Sequence, residues 1–265
     1  IINCIFINNI FSKGIHVIGQ GTLGGIIVVI DNLVEIDNLS VEYMEISMNR
    51  KRPFRTKKFI KAMNEINFKL KQGENIAVLG RNGAGKSTLL KCIAGFLRPS
   101  QGRITTKGRI ILLSGTNPGF QTDLTGRKNI EILAPLYGIN EKDIEEFIRD
   151  IEEFTELGEA LNRNYKGYST GMKGKLGFGF MTGLTPDILL IDETLGVGDL
   201  EFRAKAQIRL REFIKRSGSV LMSTHSLGLA SEMCTRGILL DKGEIIFRGS
   251  AEACIHEYRG LISSK

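Results

Sequence analysis

The segment GRNGAGKST at residues 80–88 constrains the fold of this 265-residue chain more than any other feature. An apolar run, IAVLG, leads into it, and the apolar residues Leu89, Leu90 and Ile93 follow at helical spacing. Strand, glycine-rich loop and helix in this order are the context that the pattern G-x-x-x-x-G-K-[ST] requires of a phosphate-binding loop. A glycine-rich turn of another kind does not explain the Lys-Ser-Thr sequence. The segment therefore predicts an α/β domain that binds a nucleotide.

The residue types of the loop match the chemistry of a nucleoside triphosphate. Glycines let successive backbone N–H groups turn inward around phosphate oxygens, and the dipole of the following helix favours the anion. The pattern places Lys86 within reach of the β- and γ-phosphates and directs the hydroxyl of Ser87 to Mg²⁺. The predicted nucleotide-binding residues of this loop are Gly80, Asn82, Gly83, Ala84, Gly85, Lys86, Ser87 and Thr88.

A second chemical feature is the segment DILLIDE at 187–193. Its four consecutive apolar residues indicate a fully buried parallel strand that ends at Asp192 and Glu193. An aspartate at this position is able to hold Mg²⁺, and the neighbouring glutamate to orient or deprotonate an attacking water. Acidic pairs also commonly cap helices or lie solvated at strand ends. The phosphate-binding loop upstream favours the catalytic interpretation, with Ser87 and Asp192 as metal ligands and Glu193 as the general base.

A further apolar strand pattern, VLMST at 220–224, ends at His225. A lone histidine is more often structural or exposed than catalytic. At the carboxyl edge of a parallel sheet beside a nucleotide, however, an imidazole is placed to sense the γ-phosphate. His225 is therefore a candidate catalytic residue.

The segment YSTGM at 168–172 reads, by itself, as a polar turn that caps a helix, because Ser169 or Thr170 offers the capping oxygen. Placed between the phosphate-binding loop and DILLIDE, it resembles the signature motif of ABC-transporter ATPases. The resemblance implies that Ser169, Thr170 and Gly171 contact the γ-phosphate of ATP bound by the opposite subunit of a homodimer. It also identifies Asp199 with the D-loop and His225 with the H-loop of that family.

The resemblance extends over residues 34–258 and is more specific than the family. YSTGMKGKLGFG, DETLGVGDLEF and GFQTDLTGRKNI are similar to the ATP-binding subunits of exporters for O-antigen, capsule or teichoic acid chains. The implied fold class is α/β, a P-loop NTPase core of ABC type with an antiparallel β subdomain and an inserted helical subdomain. The implied function is hydrolysis of ATP, with Mg²⁺, to drive outward movement of a lipid-linked polymer. The implied partners are a second copy of the chain and separate transmembrane permease subunits.

Two residues of the family pattern, the aromatic residue that stacks on adenine and the Q-loop glutamine, are harder to locate in this sequence. Tyr43, in LSVEY, matches the aromatic residue that stacks on adenine, although the basic stretch at 50–58 separates it from the next strand. That stretch reads as a solvated loop or as a contact with anionic lipid headgroups or nucleotide edges. Counting back from Leu124 places the Q-loop position at Thr116, with Gln121 displaced from it, and the sequence leaves this role unassigned.

The domain boundaries follow from these motifs. Residues 34–258 are predicted to form the ATPase domain, with the helical subdomain over about 122–180 and a tail at 259–265. In the subdomain, Asn140 is the expected cap of a helix with an apolar stripe from Ile144 to Leu157. Residues 1–33 are expected to lie outside the core. They contain the dinucleotide-binding spacing G-x-G-x-x-G at 19–24, but the β-branched run IIVVI stands where the required helix would begin.

Composition limits the remaining alternatives. Four widely spaced cysteines without a CxxC pair favour a reducing cytoplasm over a zinc site or disulfide framework. The net charge of +7 admits nucleic acid or an anionic membrane surface as neighbours. We expect no nucleic acid partner and a peripheral location at the cytoplasmic face of the inner membrane. The alternatives are an ABC transporter subunit for a drug, lipid or ion, and a non-transport ABC ATPase acting on nucleic acid or the ribosome.

Overall fold

The computed structural model describes residues 32–48, 55–115, 117–192 and 200–263. Its strands are β1 (Asn32–Met48), β2 (Arg55–Lys71), β3 (Asn75–Gly80), β4 (Gln101–Thr106), β5 (Ile110–Leu113), β6 (Ile188–Asp192), β7 (Ser219–Ser223), β8 (Arg236–Asp241) and β9 (Glu244–Ser250). Its α-helices are α1 (Lys86–Ile93), α2 (Gly126–Leu136), α3 (Ile144–Thr155), α4 (Thr170–Gly183), α5 (Leu200–Arg216), α6 (Leu227–Met233) and α7 (Ala251–Ser263).

The described chain divides into two compact units. One, called the sheet unit below, comprises residues 32–112, 187–192 and 218–263. The other, called the helical unit, comprises residues 113–186 and 200–217. No helix in the described ranges combines the length and apolarity needed to cross a membrane.

The sheet unit contains a three-stranded antiparallel sheet in the order β2-β1-β4. Val34 of β1 faces Leu70 of β2 on one side and Thr106 of β4 on the other. Buried apolar residues recur along β1 and β2, as expected for a sheet with one face packed on a core. This is the antiparallel β subdomain that the sequence predicted.

The second sheet has six strands in the order β5-β6-β7-β3-β8-β9. The strands β6, β7, β3 and β8 run parallel to one another, and β9 returns antiparallel to β8 through a turn at Lys242 and Gly243. All five residues of β6 and of β7 are buried, which explains their uninterrupted apolar sequences. Because β6, β7, β3 and β8 are parallel, their carboxyl ends lie at one edge of the sheet. Ligands bind at this edge in open α/β sheets.

The last helix, α7, extends the ordered structure beyond the predicted domain end at residue 258. Residues 259–263, within the tail predicted at 259–265, continue the helix to Ser263. Cys254, Ile255 and Tyr258 are buried and anchor α7. The hydroxyl of Ser263 donates to the carbonyl of Arg259 at 2.9 Å, which satisfies one carbonyl of the final turn.

The helical unit is built around Phe180 of α4, which is fully buried. Its ring makes edge-on contacts with Phe120, Tyr137 and Phe147 at centroid distances of 5.6, 5.3 and 5.4 Å. The apolar stripe predicted for the insert faces inward, with Phe147, Ile148, Ile151 and Phe154 of α3 buried. The predicted cap Asn140 caps the 3₁₀ turn that precedes α3, whereas the N-cap of α3 itself is Asp143. This short turn spans Glu141–Asp143, and the side-chain amide of Asn140 donates to Asp143.

Helix α5 also belongs to the helical unit. Phe202 of α5 packs on Phe154 with ring centroids 5.1 Å apart. Arg209 forms an ion pair with Asp150 and donates to the hydroxyl of Thr182. These partners lie on α3 and α4, so α5 joins the helical unit through contacts with helices that are distant in sequence.

Candidate functional site

The phosphate-binding loop begins where β3 ends, and its glycines are required by the geometry. A Cβ atom built on Gly80 would lie 2.4 Å from the carbonyl oxygen of Leu240 in the neighbouring strand. Gly83 has open space around it, but its φ of +80° is in the left-handed region that other residues rarely adopt. The loop therefore folds closely over the end of the sheet and then reverses its backbone, as a phosphate cradle requires.

Lys86 is held inside the loop. Its side chain is 7% exposed, and its ammonium donates to the carbonyls of Gly80 at 2.8 Å and Arg81 at 3.2 Å. Helix α1 begins at Lys86 itself, after Gly85, so its first N–H groups adjoin the loop. A buried cation and a helix N-terminus at one place form an environment that favours an anion.

Ser87 and Asp192, 105 residues apart in sequence, meet in the structure. The hydroxyl of Ser87 donates to Asp192 Oδ1 at 2.8 Å, and Asp192 is 9% exposed at the end of β6. A hydroxyl and a carboxylate are the hard oxygen donors that Mg²⁺ prefers. The two residues that the sequence named as metal ligands are thus brought together by the fold.

Strand β7 lies between the acidic strand β6 and the loop strand β3. Ser223, its last residue, is in register with Asp192 on one side and Val78 on the other. His225 follows two residues later and is exposed at the same carboxyl edge. Of the other predicted residues at this edge, Glu193 and Asp199 lie outside the described residues.

Tyr43 of β1 is brought to the loop from the antiparallel sheet. Its hydroxyl lies 3.3 Å from the hydroxyl of Thr88, and the residue is 41% exposed. Ile60, its partner across to β2, is 43% exposed and was not singled out by sequence reasoning. Because the two residues are paired across the strands, Ile60 lies on the same face of the sheet as Tyr43. A single apolar residue that follows a basic stretch belongs to no recognisable motif, so the sequence does not indicate its position.

The signature residues lie at the start of α4 in the helical unit. Ser169 is the N-cap of this helix, and its hydroxyl accepts from the N–H of Met172 at 3.2 Å. Ser169 and Thr170 are exposed, and Gly171 is half-buried. The sequence interpretation of a capped helix start is confirmed, and the exposed cap leaves these residues accessible to a partner.

The two Q-loop candidates have different outcomes. Thr116 lies outside the described residues. The backbone of Gln121 is fixed by Asn129, whose side-chain oxygen accepts from its N–H at 2.6 Å and whose amide donates to its carbonyl at 2.9 Å. The side chain of Gln121 is exposed. Of the basic stretch at 50–58, residues 50–54 lie outside the described residues.

Three cysteines are buried in the described part of the chain, Cys92, Cys234 and Cys254. Burial raises the pKa of Cys92 to about 11 and that of Cys234 to about 12. At neutral pH these thiols stay protonated and are poor nucleophiles or metal ligands. The chemistry of the site thus lies with the oxygen and nitrogen groups at the sheet edge.

Comparison with known proteins adds to this geometry. A model of the ABC transporter family matches residues 63–196. The O-antigen export system ATP-binding protein RfbB of Klebsiella pneumoniae is 40% identical over 198 residues, which cover 75% of this chain and 80% of that protein. The ABC transporter protein AbcA of Aeromonas salmonicida is 36% identical over 77% of this chain and 67% of its own length. The teichoic acids export ATP-binding protein TagH of Lactococcus lactis is 39% identical over 76% of this chain and 43% of that protein.

Solved structures agree in fold. The ATP binding subunit of an ABC transporter is 26% identical, with a TM-score of 0.66 over 86% of this chain and 94% of that one. A dimeric ATP-binding cassette in a post-hydrolysis state, bound to ADP and Pi, has a TM-score of 0.63 at 20% identity, over 82% of this chain and 98% of that one. Together they confirm the predicted α/β fold class.

Proposed function

Because the chain belongs to the ABC transporter family and is an ATPase of that family, we propose that it drives export of a lipid-linked polysaccharide or teichoic-acid-type polymer. The observation that carries the proposal is its 40% identity to an O-antigen export protein over 80% of that protein's length. The teichoic acids export relative supports the same class of cargo. The cargo moves through separate membrane permease subunits, and the chain supplies the energy of ATP hydrolysis.

Within the proposed ATP site, the sheet unit holds the triphosphate. The backbone N–H groups of the loop and the ammonium of Lys86 face the phosphate oxygens, and Tyr43 lies beside Thr88 to stack on the adenine ring. Ser87 and Asp192 would hold Mg²⁺, which would supply positive charge to the phosphate groups during hydrolysis. The 2.8 Å contact between these two side chains supports that pairing.

We infer that a second copy of the chain completes the site. Ser169, Thr170 and Gly171 of the second copy contact the γ-phosphate, and Asp199 lines the interface between the copies. Glu193 accepts a proton from the attacking water, and His225 fixes the γ-phosphate. The exposed cap at Ser169 and the exposed position of His225 support this arrangement.

We place the assembly at the cytoplasmic face of the inner membrane, where the helical unit docks on cytoplasmic helices of the permease. The proposed location follows from the function, since an ATPase subunit must reach both cytoplasmic ATP and a membrane partner. The net charge of +7 suits a protein that works beneath an anionic lipid surface.

The test is made in the cell that encodes the chain. We expect its deletion to remove the polymer from the cell surface while undecorated lipid-linked polymer accumulates inside. A copy of the unaltered chain restores the surface polymer, and a Lys86→Ala copy expressed at the same level does not. Normal surface polymer in the deletion, together with altered efflux of a drug, lipid or ion, would contradict polymer export and favour another cargo.

A further inference from the structure

Arg81, the second residue of the phosphate-binding loop, makes a contact that the loop pattern does not anticipate. Its guanidinium donates to the carbonyl oxygen of Leu261, which lies in the last turn of α7. The two residues are separated by 180 positions. The contact therefore joins the final helix of the described chain to the loop that binds phosphate.

The packing of α7 explains how it reaches the loop. Gly237 of β8 permits a close approach, since a Cβ there would lie 2.7 Å from the Cβ of Cys254. Gly237 is in register with Ala77 of β3. From Ala77 to Arg81 an extended strand rises about 13 Å, and from Cys254 to Leu261 a helix rises about 10.5 Å. The similar rises bring the last turn of α7 level with the start of the loop.

The acceptor is chemically suited to a cation. Carbonyls of the last helical turn have no partner within the helix, and the helix dipole makes this end negative. A guanidinium donating there forms a charge-assisted hydrogen bond, which is stronger than a neutral one. The helix itself is fixed by Cys254, Ile255 and Tyr258, so Leu261 offers an anchored acceptor.

The backbone of Arg81 is in turn part of the phosphate cradle. Its carbonyl accepts from the ammonium of Lys86 at 3.2 Å and from the N–H of Ala84 at 3.1 Å. A side chain anchored on α7 therefore restrains the residue whose carbonyl orients the phosphate-binding lysine and closes the first turn of the loop.

We propose that Arg81 is a positioning residue that uses the last turn of α7 as a fixed support to hold the loop in its phosphate-binding conformation. The inference rests on the proposed ATP site and adds to it a dependence on the carboxyl-terminal helix. Arg81 acts through the loop backbone and Lys86. Losing the contact therefore weakens ATP binding more than it slows the chemical step.

Three changes separate this role from others. Arg81→Ala removes the donor, and Arg81→Lys retains a cation that is able to reach a carbonyl. Ile262→Pro leaves every charge in place but re-aims the Leu261 carbonyl, because proline drives the preceding residue out of helical geometry. Ile262 is 49% exposed, so Ile262→Ala is the matched control that keeps the helix and its acceptor.

The experiment measures the dissociation constant of Mg-ATP by calorimetric titration of the full-length chain, with thermal unfolding to confirm the fold. We expect Arg81→Ala and Ile262→Pro each to raise Kd by about tenfold or more, as expected for the loss of one hydrogen bond to a charged group. Arg81→Lys and Ile262→Ala stay within about twofold of the parent, and the double variant Arg81→Ala/Ile262→Pro is no weaker than either single one. In steady-state hydrolysis we expect KM to rise while kcat changes by less than about twofold.

The outcomes are distinct. If Arg81→Ala weakens binding but Ile262→Pro does not, the guanidinium acts directly on the nucleotide and the proposal is overturned. If both weaken binding and their effects multiply in the double variant, the two residues act independently, which also overturns it. Failure of the parent chain to bind Mg-ATP contradicts the ATP site itself. Tight binding by the parent and by both variants contradicts only the role of Arg81.

Discussion

Replacing Gly80 with alanine tests whether the loop depends on close contact with the sheet. The added methyl group would lie 2.4 Å from the carbonyl oxygen of Leu240 and 3.0 Å from the Cβ of Ala84. The first neighbour is backbone of β8, in register with Gly80, and is not able to rotate away. Carbon and carbonyl oxygen settle at about 3.3 Å, so the loop or the strand must move by about 0.9 Å.

The cost of that movement follows from its size. Overpacking of a well-packed interior costs about 1–3 kcal/mol. A central value of about 2 kcal/mol corresponds to a fall in Tm of about 4–8 °C for a domain of this size. The displacement also moves the Gly80 carbonyl, which accepts from Lys86 at 2.8 Å. We therefore expect Gly80→Ala to weaken ATP binding by tenfold or more, since a hydrogen bond to a charged group contributes about 1.5–3 kcal/mol.

The assay combines thermal unfolding with titration of Mg-ATP. The matched control is Gly228→Ala in α6, where nothing lies within 4 Å of the added methyl group. Alanine is favoured over glycine inside a helix by about 0.5–1 kcal/mol, so the control is expected to hold or raise Tm and to bind ATP normally. A Gly80→Ala chain with the Tm and ATP affinity of the control would refute the close-contact argument.

Three further predictions follow from the described residues. Asp192→Asn keeps the shape of the side chain but removes the charge that faces Ser87, so Mg²⁺-dependent phosphate release falls by about 100-fold or more; activity within threefold of the parent contradicts this. Burial raises the pKa of Cys92 to about 11 and that of Cys234 to about 12. We therefore expect maleimide at pH 8 to leave both thiols unmodified in the native chain and to modify both in urea, as measured by mass spectrometry. Phe180→Leu removes three edge-on ring contacts and lowers the free energy of unfolding by about 2–3 kcal/mol, and an unchanged urea midpoint would show that these contacts contribute little.

The residues of the proposed ATP site were the most predictable part of the molecule. Gly80, Lys86 and Ser87 stand in one contiguous pattern whose mechanism is local, and the apolar strand before Asp192 gave its position at the sheet edge. Their meeting could be expected because carboxyl ends of parallel strands share one edge. The 2.8 Å contact between Ser87 and Asp192 agrees with that expectation.

What the sequence could not supply depends on contacts between distant segments. The membership of α5 in the helical unit rests on Phe202, Arg209 and their partners on other helices, which no periodicity reveals. The contact from Arg81 to Leu261 uses a backbone carbonyl. Because every residue has one, the residue type at position 261 does not indicate the contact. Helix α7 continues to Ser263, beyond residue 258, where the resemblance to the family ends.

The proposed dimer holds ATP between the phosphate-binding loop of one copy and the start of α4 in the other. It is tested most directly with two single variants, Asn82→Cys in the loop and Ser169→Cys at the helix cap, each carrying Glu193→Gln to retain ATP. Both positions are exposed, so a short thiol cross-linker is able to reach them. We expect a cross-linked dimer only when the two variants are mixed and Mg-ATP is present. The absence of that dimer with ATP bound, or an equal yield without nucleotide, would contradict the proposed arrangement.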